Sequence, residues 1–195
     1  IVPRDKALAH LGLDPQYDYV LFFGYIRDYK GLDILLDAIA EGLKTNVNLR
    51  LIVAGEYYSD SEKYLSQIDR LGITSQVILH TNFISNDEVK YFFCAADLVA
   101  QSYKSATQSG ISQIAIYFEK PIVSTNVGGL PETVIHDKTG YLTNVDSNEL
   151  AQAILRYFEK RPANRFRKEI QKLKELYSWN HFGSKLVELY DKINT

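Results

Sequence analysis

The sequence has few of the residue types that usually mark redox, metal or membrane function. It contains one cysteine, five prolines, four histidines and no methionine among 195 residues. Cys94 lies in the apolar run YFFCAADLVA, which favours a buried structural thiol over a nucleophile. The histidines are isolated, without an HxxxH or HExxH pair, and no DxD motif is present, so we predict no metal site. A chain that begins at Ile1 and lacks methionine favours a domain excised from a longer protein.

The sequence also lacks an excess of charge and a long apolar run. Lys and Arg number 22 against 24 Asp and Glu, so the broad basic field that binds nucleic acid is absent and no nucleic-acid partner is expected. No apolar stretch approaches the roughly 20 residues of a transmembrane helix, and no signal peptide opens the chain. We therefore expect a cytoplasmic location.

Short apolar runs that are followed by turn or helix signals recur along the chain. Such runs are typical of strands buried on both faces of a parallel sheet. The runs are YVLFFG at 19–24, LRLIVAG at 49–55, VILH at 77–80, DLVAQ at 97–101 and PIVST at 121–125, with a sixth candidate at 140–142.

Helical patterns stand between these runs. Ser59 and Asp60 are candidate caps of the helix after the second run, and Ser85 with Glu88 resembles a capping box before the helix after the third. The alternation predicts an α/β fold: a doubly wound, mainly parallel, Rossmann-like sheet of about six strands with helices on both faces. Its ligand crevice is expected beyond the carboxyl ends of the strands. The helix after the first run has an apolar stripe formed by Leu32, Leu35, Leu36 and Ile39.

The end of the chain changes character. We predict a Rossmann-like unit over 1–160 and, over 161–195, a tail of helices that packs on its edge. Trp179 and Tyr190 are candidate anchors for docking of this tail, and ordinary packing is the alternative. The sequence from 147 onward is typical of helices without a strand between them, at about 147–160, 164–176 and 179–193.

The first candidate ligand-binding turn is GYIRDYKG at 24–31. Gly24 closes the first strand, and Arg27 and Lys30 stand just before a helix. A helix N-terminus offers free N–H groups and a positive dipole, so a diphosphate is the ligand that two neighbouring cations favour. A solvated basic turn is the alternative.

Two further turns have similar chemistry. In SATQSG, Thr107 and Ser109 are candidate caps whose neighbouring amides would face the same diphosphate, with a plain helix cap as the alternative. In NVGGLPE, the paired Gly128 and Gly129 open a helix with Pro and Glu in its first turn. Because all three turns are expected at one edge of the sheet, they predict a nucleotide phosphate site, although no dinucleotide GxGxxG fingerprint is present.

In this order, the segments resemble the carboxyl-terminal, nucleotide-sugar-binding domain of family-four retaining glycosyltransferases, which have two Rossmann-like halves in the B-type fold. The likeness covers about 18–160. It implies transfer of a sugar, as in hexosyltransferases, from a nucleoside-diphosphate sugar to a hydroxyl acceptor with retention and without metal or cofactor. The segments are FFGYIRDYKGLDILLDA, LRLIVAGE, VILHTNFISNDEVKYFFCAADLVAQSY and KPIVSTNVGGLPETVIHDKTGYL.

The resemblance also implies roles for individual residues. Lys30 is expected to grip the donor diphosphate, with Arg27 in place of the arginine that usually follows the first glycine, where this chain has Tyr25. Residues from His80 to Phe83 are expected at the base, and Glu56 borders the donor. The substrate-binding residues that we predict are Gly24, Glu56, His80, Phe83, Thr107, Gln108, Ser109, Gly110, Gln113, Gly128 and Gly129.

Two glutamates that the family carries eight positions apart are not found here. When the family pattern is aligned from Asp97 and Ser102, the two glutamate positions fall on Ser105 and Gln113. When it is aligned backward from Pro121, they fall on Ala106 and Ile114. The segment between resembles a subgroup in which a neutral amide, here Gln108, takes over sugar or ribose contacts. A degenerate module that binds nucleotide sugar without turnover therefore remains the alternative.

The expected partners follow from the same resemblance. An acceptor sugar or lipid-linked glycan would bind an amino-terminal domain outside this sequence, toward which the helix near 179–193 would cross, and peripheral membrane association of the full-length enzyme stays open. The chain alone is expected to be inactive. A flavodoxin-like receiver domain would need acidic residues where Arg27 and Lys30 stand, and a nucleotide-sugar epimerase would need titratable groups that the cleft lacks. The base, the sugar and the oligomeric state are not specified by this sequence.

Overall fold

The protein is described by a computed structural model that covers residues 1–58 and 60–193. A sheet of six parallel strands runs through its centre in the order β3-β2-β1-β4-β5-β6. The predicted doubly wound sheet is confirmed, including the sixth strand. The strands are β1 (Asp18–Phe23), β2 (Leu49–Ala54), β3 (Val77–His80), β4 (Leu98–Gln101), β5 (Ile122–Thr125) and β6 (Gly140–Thr143).

Helices cover both faces of the sheet because successive strand residues point to opposite sides. Val20 and Phe22 of β1 pack in one core cluster, and Tyr19 and Leu21 pack in the other. The helices are α1 (Arg4–Leu11), α2 (Leu32–Leu43), α3 (Glu62–Arg70), α4 (Asn86–Ala95), α5 (Gly110–Tyr117), α6 (Leu130–Thr133), α7 (Ser147–Lys160), α8 (Ala163–Leu176) and α9 (Trp179–Ile193).

The structure corrects the prediction of a capping box at the start of α4. Ser85 occupies the N-cap position, but its side chain accepts no cap hydrogen bond. Glu88 instead pairs with Nε2 of His10 on α1 at 2.8 Å, and the His10 ring is stacked on Tyr91. Glu88 therefore pairs with a residue of the neighbouring helix α1 and not with the start of its own helix, as the capping box would require.

The start of α3 is only partly as predicted. Ser61 takes the N-cap position, and Oδ1 of Asp60 accepts a hydrogen bond from the N–H of Glu62 at 2.9 Å. The predicted cap Ser59 lies outside the described residues. Cys94 is buried, as predicted, with 3% of its surface exposed.

The two last helices differ in how they meet the rest of the chain. On α8, Phe166, Ile170 and Leu173 are buried in the same core cluster as the sheet. On α9 no described side chain is buried, and Trp179 is 86% and Tyr190 68% exposed. Trp179 contacts the Phe182 ring of the same helix edge-to-face, with 6.0 Å between the centroids, and docking by Trp179 and Tyr190 stays a prediction. No helix within the two described ranges is both long and apolar enough to cross a bilayer.

Candidate functional site

The three glycine-bearing turns meet at the carboxyl edge of the sheet. Turn one (24–31) follows β1, turn two (102–110) follows β4, and turn three (126–129) follows β5. Because β1 pairs directly with β4 and β4 with β5, the turns are neighbours in space although they are far apart in sequence. The predicted clustering is confirmed.

Turn one is held against turn two by polar contacts. The buried hydroxyl of Ser102 donates to the carbonyl oxygens of Lys30 at 3.1 Å or Gly31 at 2.7 Å, and the Lys104 N–H donates to the Tyr29 carbonyl at 2.7 Å. Gly31 has a φ of +65°, and a Cβ there would lie 2.0 Å from the Ser102 carbonyl oxygen. A glycine is therefore required where these turns touch.

Turn two is held against turn three in the same way. The Gly129 N–H donates to the Thr107 carbonyl at 2.8 Å. A Cβ on Gly128, which has a φ of +52°, would lie 1.5 Å from the Ala106 carbonyl oxygen. The paired glycines that the sequence singled out thus allow the two backbones to approach each other.

A polar cluster stabilises turn two from within. Oγ of Ser109 accepts from the N–H of Ile111 at 3.2 Å and from Nε2 of Gln101 at 2.9 Å, and it lies 3.2 Å from the Tyr103 hydroxyl. Ser109 is therefore the cap of α5, as predicted. Thr107 is not a cap, because only its backbone carbonyl is engaged, by Gly129.

Lys30 is a buried residue, and its Nζ lies 5.9 Å from the centre of the Tyr103 ring, at the outer limit of a cation–π contact. It is 7% exposed, and a Cβ built on Gly24 would lie 2.9 Å from its Nζ, so the amine lies beside Gly24. No ion pair or hydrogen bond to this amine is present in residues 1–58 and 60–193. Burial, with the nearby Arg27 charge, lowers the pKa of Lys30 to about 8. A buried, unpaired amine is costly, and its position at the strand ends favours an anionic ligand.

Arg27 belongs to the same turn, since its carbonyl accepts the Lys30 N–H at 3.0 Å, and no ion pair to its side chain is present in the described residues. Its guanidinium carbon lies 3.9 Å from the centre of the Tyr58 ring, and its Nε is buried without a hydrogen-bond partner. The adjacent Asp28 is engaged by Lys63 at 2.7 Å and by Lys104 at 3.1 Å. The structure therefore brings the two predicted diphosphate ligands together with their charges unneutralised.

His80 and Phe83 share a small cavity at the end of β3. The cavity has a volume of about 190 Å³ and is also lined by Ile84 and Phe92. Nε2 of His80 is buried without a partner, and burial lowers the pKa of this histidine. Phe83 is 74% exposed at the rim. Nearby, the Glu56 carbonyl accepts the Ile26 N–H at 2.8 Å, which places Glu56 beside turn one.

The remaining predicted residues lie on or after turn two. Nε2 of Gln108 is 3.4 Å from Oε2 of Glu132 on α6. Gly110 begins α5, and a Cβ there would meet no atom within 4 Å. Gln113 is exposed and lines a different cavity, between α4 and α5, with Asn86 and other residues. The structure does not place Gln113 in contact with the three turns.

Sequence reasoning missed two residues that shape this edge. Ser102 joins turns one and two, and its position directly after the predicted fourth strand was a usable signal. Tyr58 stacks on Arg27. The two residues become neighbours because Ile26 and Tyr57, which precede them, pair beyond the ends of β1 and β2, and no local sequence signal indicates this pairing. In the described residues, no group of three or more His, Cys, Asp or Glu side chains is placed to hold a metal ion.

The fold and its carboxyl edge define a doubly wound α/β domain with two cations, Lys30 and Arg27, at the end of β1. A family model described as "Glycosyl transferases group 1" matches residues 3–173. This chain belongs to the glycosyl transferases group 1 family, which confirms the resemblance that its motifs predicted.

The relatives of this chain are longer than the chain itself. The D-inositol 3-phosphate glycosyltransferase of Segniliparus rotundus is 35% identical in an alignment 156 positions long that covers 77% of this chain and 34% of that protein. The D-inositol 3-phosphate glycosyltransferase of Rhodococcus opacus is 30% identical in an alignment 198 positions long, gaps included, that covers 96% of this chain and 44% of the relative. The chain thus spans less than half the length of these relatives.

Solved structures share the fold. HepE from Anabaena, solved in complex with UDP, superposes with a TM-score of 0.83 at 23% identity, over 97% of this chain and 52% of HepE. The C-terminal domain of LpcC from Francisella tularensis, a glycosyl transferase group 1 family protein, superposes with a TM-score of 0.79 at 20% identity, over 91% of this chain and 93% of that domain. At these identities the similarity establishes the architecture.

Proposed function

We propose that this chain binds the nucleoside-diphosphate sugar donor of a glycosyltransferase. The observation that carries the proposal is the amine of the buried residue Lys30, which has no ion pair or hydrogen bond in the described residues and lies beside Gly24 at the carboxyl end of β1. Membership of the glycosyl transferases group 1 family supports it, as does the UDP bound by HepE, which has the same fold.

The proposed reaction transfers the donor sugar to a hydroxyl acceptor with retention of anomeric configuration. Departure of the nucleoside diphosphate builds negative charge on the leaving phosphate. Lys30 and Arg27 would stabilise that charge, because fixed cations in a partly dry site need no reorganisation during the reaction. These two cations supply the charge compensation in this proposal, so it requires neither a metal ion nor another cofactor.

The other predicted residues divide between the two ends of the donor. The cavity with His80 and Phe83 would receive the base, the backbone around Thr107 and Ser109 would face the diphosphate, and Gln108 would contact the sugar or the ribose. The acceptor, a sugar or lipid-linked glycan, would bind an amino-terminal domain beyond the present chain. A cytoplasmic location, with the full-length enzyme peripheral at a membrane, completes the proposal.

Titration calorimetry of the chain with UDP, GDP, ADP and their sugars tests donor binding. We expect at least one nucleoside diphosphate to bind, and Lys30→Met to weaken that binding about tenfold or more, because a charge-assisted contact is lost. Lys168→Met, which removes an exposed lysine of α8, serves as the matched control and leaves the affinity unchanged. Absence of binding to all three nucleotides would contradict the proposal.

Turnover is tested in the full-length enzyme. Lys30→Met is expected to lower the transfer rate at least about 100-fold, since leaving-group stabilisation of this kind is worth several kcal/mol. Wild-type turnover in that variant would refute the assigned role of Lys30. Donor binding without turnover by the unaltered enzyme would identify the degenerate module, which the absence of carboxylates at Ser105 and Gln113 favours.

A further inference from the structure

The pairing of β1 and β2 continues beyond the strands into the site. The Gly24 N–H donates to Ala54, the Ile26 N–H to Glu56 and the Tyr58 N–H back to Ile26, at 2.8, 2.8 and 3.1 Å. Arg27 and Tyr58 are therefore carried on two backbones that are bonded to each other. These backbone hydrogen bonds fix the distance between the Cα atoms of Arg27 and Tyr58, so the two side chains start from defined positions.

Stacking on Tyr58 is what orients the Arg27 guanidinium. The guanidinium carbon lies 3.9 Å from the centre of the Tyr58 ring, within the range of a favourable cation–π contact. No hydrogen bond or ion pair to the Arg27 side chain is present in residues 1–58 and 60–193, and its Nε is buried without a partner. The neighbouring Asp28 is not available, because Lys63 and Lys104 engage it.

Arg27 and Lys30 belong to the same tight turn, in which the Lys30 N–H donates to the Arg27 carbonyl at 3.0 Å. The Arg27 charge, after burial, is the second cause that lowers the pKa of the Lys30 amine. Two like charges are thus held near each other without a protein carboxylate between them. Holding a long, flexible arginine in this place before the ligand arrives reduces the entropy that the ligand would otherwise have to offset.

Tyr58 itself contributes little to the core. It is 67% exposed, and its hydroxyl makes no hydrogen bond in the described part of the chain. Its ring is therefore available for the arginine rather than needed for folding. We propose that Tyr58 is a positioning residue that holds the Arg27 guanidinium beside Lys30 for the donor diphosphate. This inference rests on the proposed function, because it concerns the same diphosphate.

A double-mutant cycle tests the inference with UDP, GDP and ADP as probes. Tyr58→Ala is expected to weaken nucleotide binding roughly two- to fivefold, the size of an exposed cation–π contact. Tyr58→Phe keeps the ring and should bind like the wild type. Arg27→Ala should weaken binding about tenfold, and adding Tyr58→Ala to it should have no further effect. A further loss of twofold or more in that background would overturn the inference.

The pH dependence of binding provides a second readout. Affinity for the nucleotide should fall as the pH rises through the pKa of Lys30, about 8, because the amine loses its charge. In Tyr58→Ala the arginine is released, its repulsion of the Lys30 charge weakens, and the fall in affinity should move to higher pH. Tyr58→Phe should not show this shift. An unchanged profile in Tyr58→Ala would argue against positioning.

A matched pair at the opposite end of the sheet supplies the control. Arg50 stacks on Tyr17 with 3.7 Å between the guanidinium carbon and the ring centre, at the amino end of β2. Tyr17→Ala removes the same kind of contact and should leave nucleotide affinity unchanged. If the wild type binds none of the three nucleotides, the proposed function fails. If the wild type binds and Tyr58→Ala binds equally well, only the positioning role fails.

Discussion

Lys30 holds a positive charge where a charge is costly to bury. The residue is 7% exposed, and no ion pair to its amine is present in the described residues. Burial, and then the Arg27 charge, lower the pKa of Lys30 from its ordinary value of 10.5 to about 8. Folding without ligand is therefore opposed by this residue at neutral pH.

This cost predicts an unusual pH dependence of stability. Between about pH 8 and 10.5 the unfolded chain retains the Lys30 proton while the folded chain has lost it. The free energy of unfolding should therefore rise with pH in this window, by up to about 3 kcal/mol from this residue. Below pH 8 both states are protonated and the contribution is constant.

Urea unfolding of the wild type and Lys30→Met at several pH values from 7 to 10.5 checks this prediction. Lys30→Met should be the more stable protein at pH 7, and its advantage should shrink as the pH rises. Other groups with shifted pKa values, such as the half-buried Lys120, whose pKa is also lowered by desolvation, are common to both proteins and cancel in the difference. A stability difference that stays constant with pH would contradict the burial argument.

Among the turns, Gly128 provides a test of the close contact between turns two and three. In Gly128→Ala the new Cβ would meet the Ala106 carbonyl oxygen at 1.5 Å, so the turns must separate. We expect a loss of about 2–4 kcal/mol in the free energy of unfolding, together with weaker nucleotide binding.

Gly72→Ala is the matched control for that variant. Gly72 also has a positive φ, +68°, but a Cβ there meets no atom within 4 Å. It should cost about 1 kcal/mol from backbone strain alone and leave nucleotide binding intact. Equal losses in stability and affinity for the two variants, measured by urea unfolding and calorimetry, would show that the contact between the turns is unimportant.

Two serines at N-cap positions allow the effect of a cap hydrogen bond on stability to be measured, because Ser109 makes such a bond and Ser85 does not. Ser109→Ala removes an oxygen that accepts from Ile111 and Gln101, so it should destabilise the fold by about 1–3 kcal/mol. Ser85→Ala removes a hydroxyl that makes no cap hydrogen bond and should cost less than about 0.5 kcal/mol. Thermal and urea unfolding measure both, and a larger loss for Ser85→Ala would be the opposite of this expectation.

These elements show which features a sequence reveals. Strands such as β1 are predictable because burial on both faces leaves a continuous apolar run, and the paired glycines of turn three mark a close backbone approach. The prediction of a capping box at Ser85 was wrong because Glu88 pairs with His10, which lies 78 residues earlier in the chain on another helix. Side-chain partners that come from distant segments are not encoded in local spacing.

The same reasoning applies to the candidate site. Lys30 and the three turns follow from local chemistry combined with the rule that parallel strands end at one edge. The stacking of Tyr58 on Arg27 depends on how β1 and β2 are aligned, and the position of Gln113 depends on the rotation of α5. Neither is visible before the sheet is assembled.

At the scale of the molecule, α8 and α9 should contribute very differently to stability. Removal of α9, in a chain of residues 1–178, should change the free energy of unfolding by less than about 1 kcal/mol, because α9 has no buried side chain. Its exposed apolar side chains remain predicted to dock on an amino-terminal domain.

A chain of residues 1–162, which also lacks α8, is the comparison. It loses the burial of Phe166, Ile170 and Leu173 and should be destabilised by about 5 kcal/mol or more. Urea unfolding of the three chains checks both expectations. A large loss already on removal of α9 would mean that its apolar face packs on the domain after all.

The strand order also determines when the site exists during synthesis of the chain. β1 lies between β2 and β4, so turn one gains its neighbour Ser102 only after more than half of the chain has been made. Turn three, around Gly128, must emerge later still. A nascent chain therefore carries Lys30 without a pocket around it until turn three has been made, and a nucleotide in the cell can protect the domain only after that point.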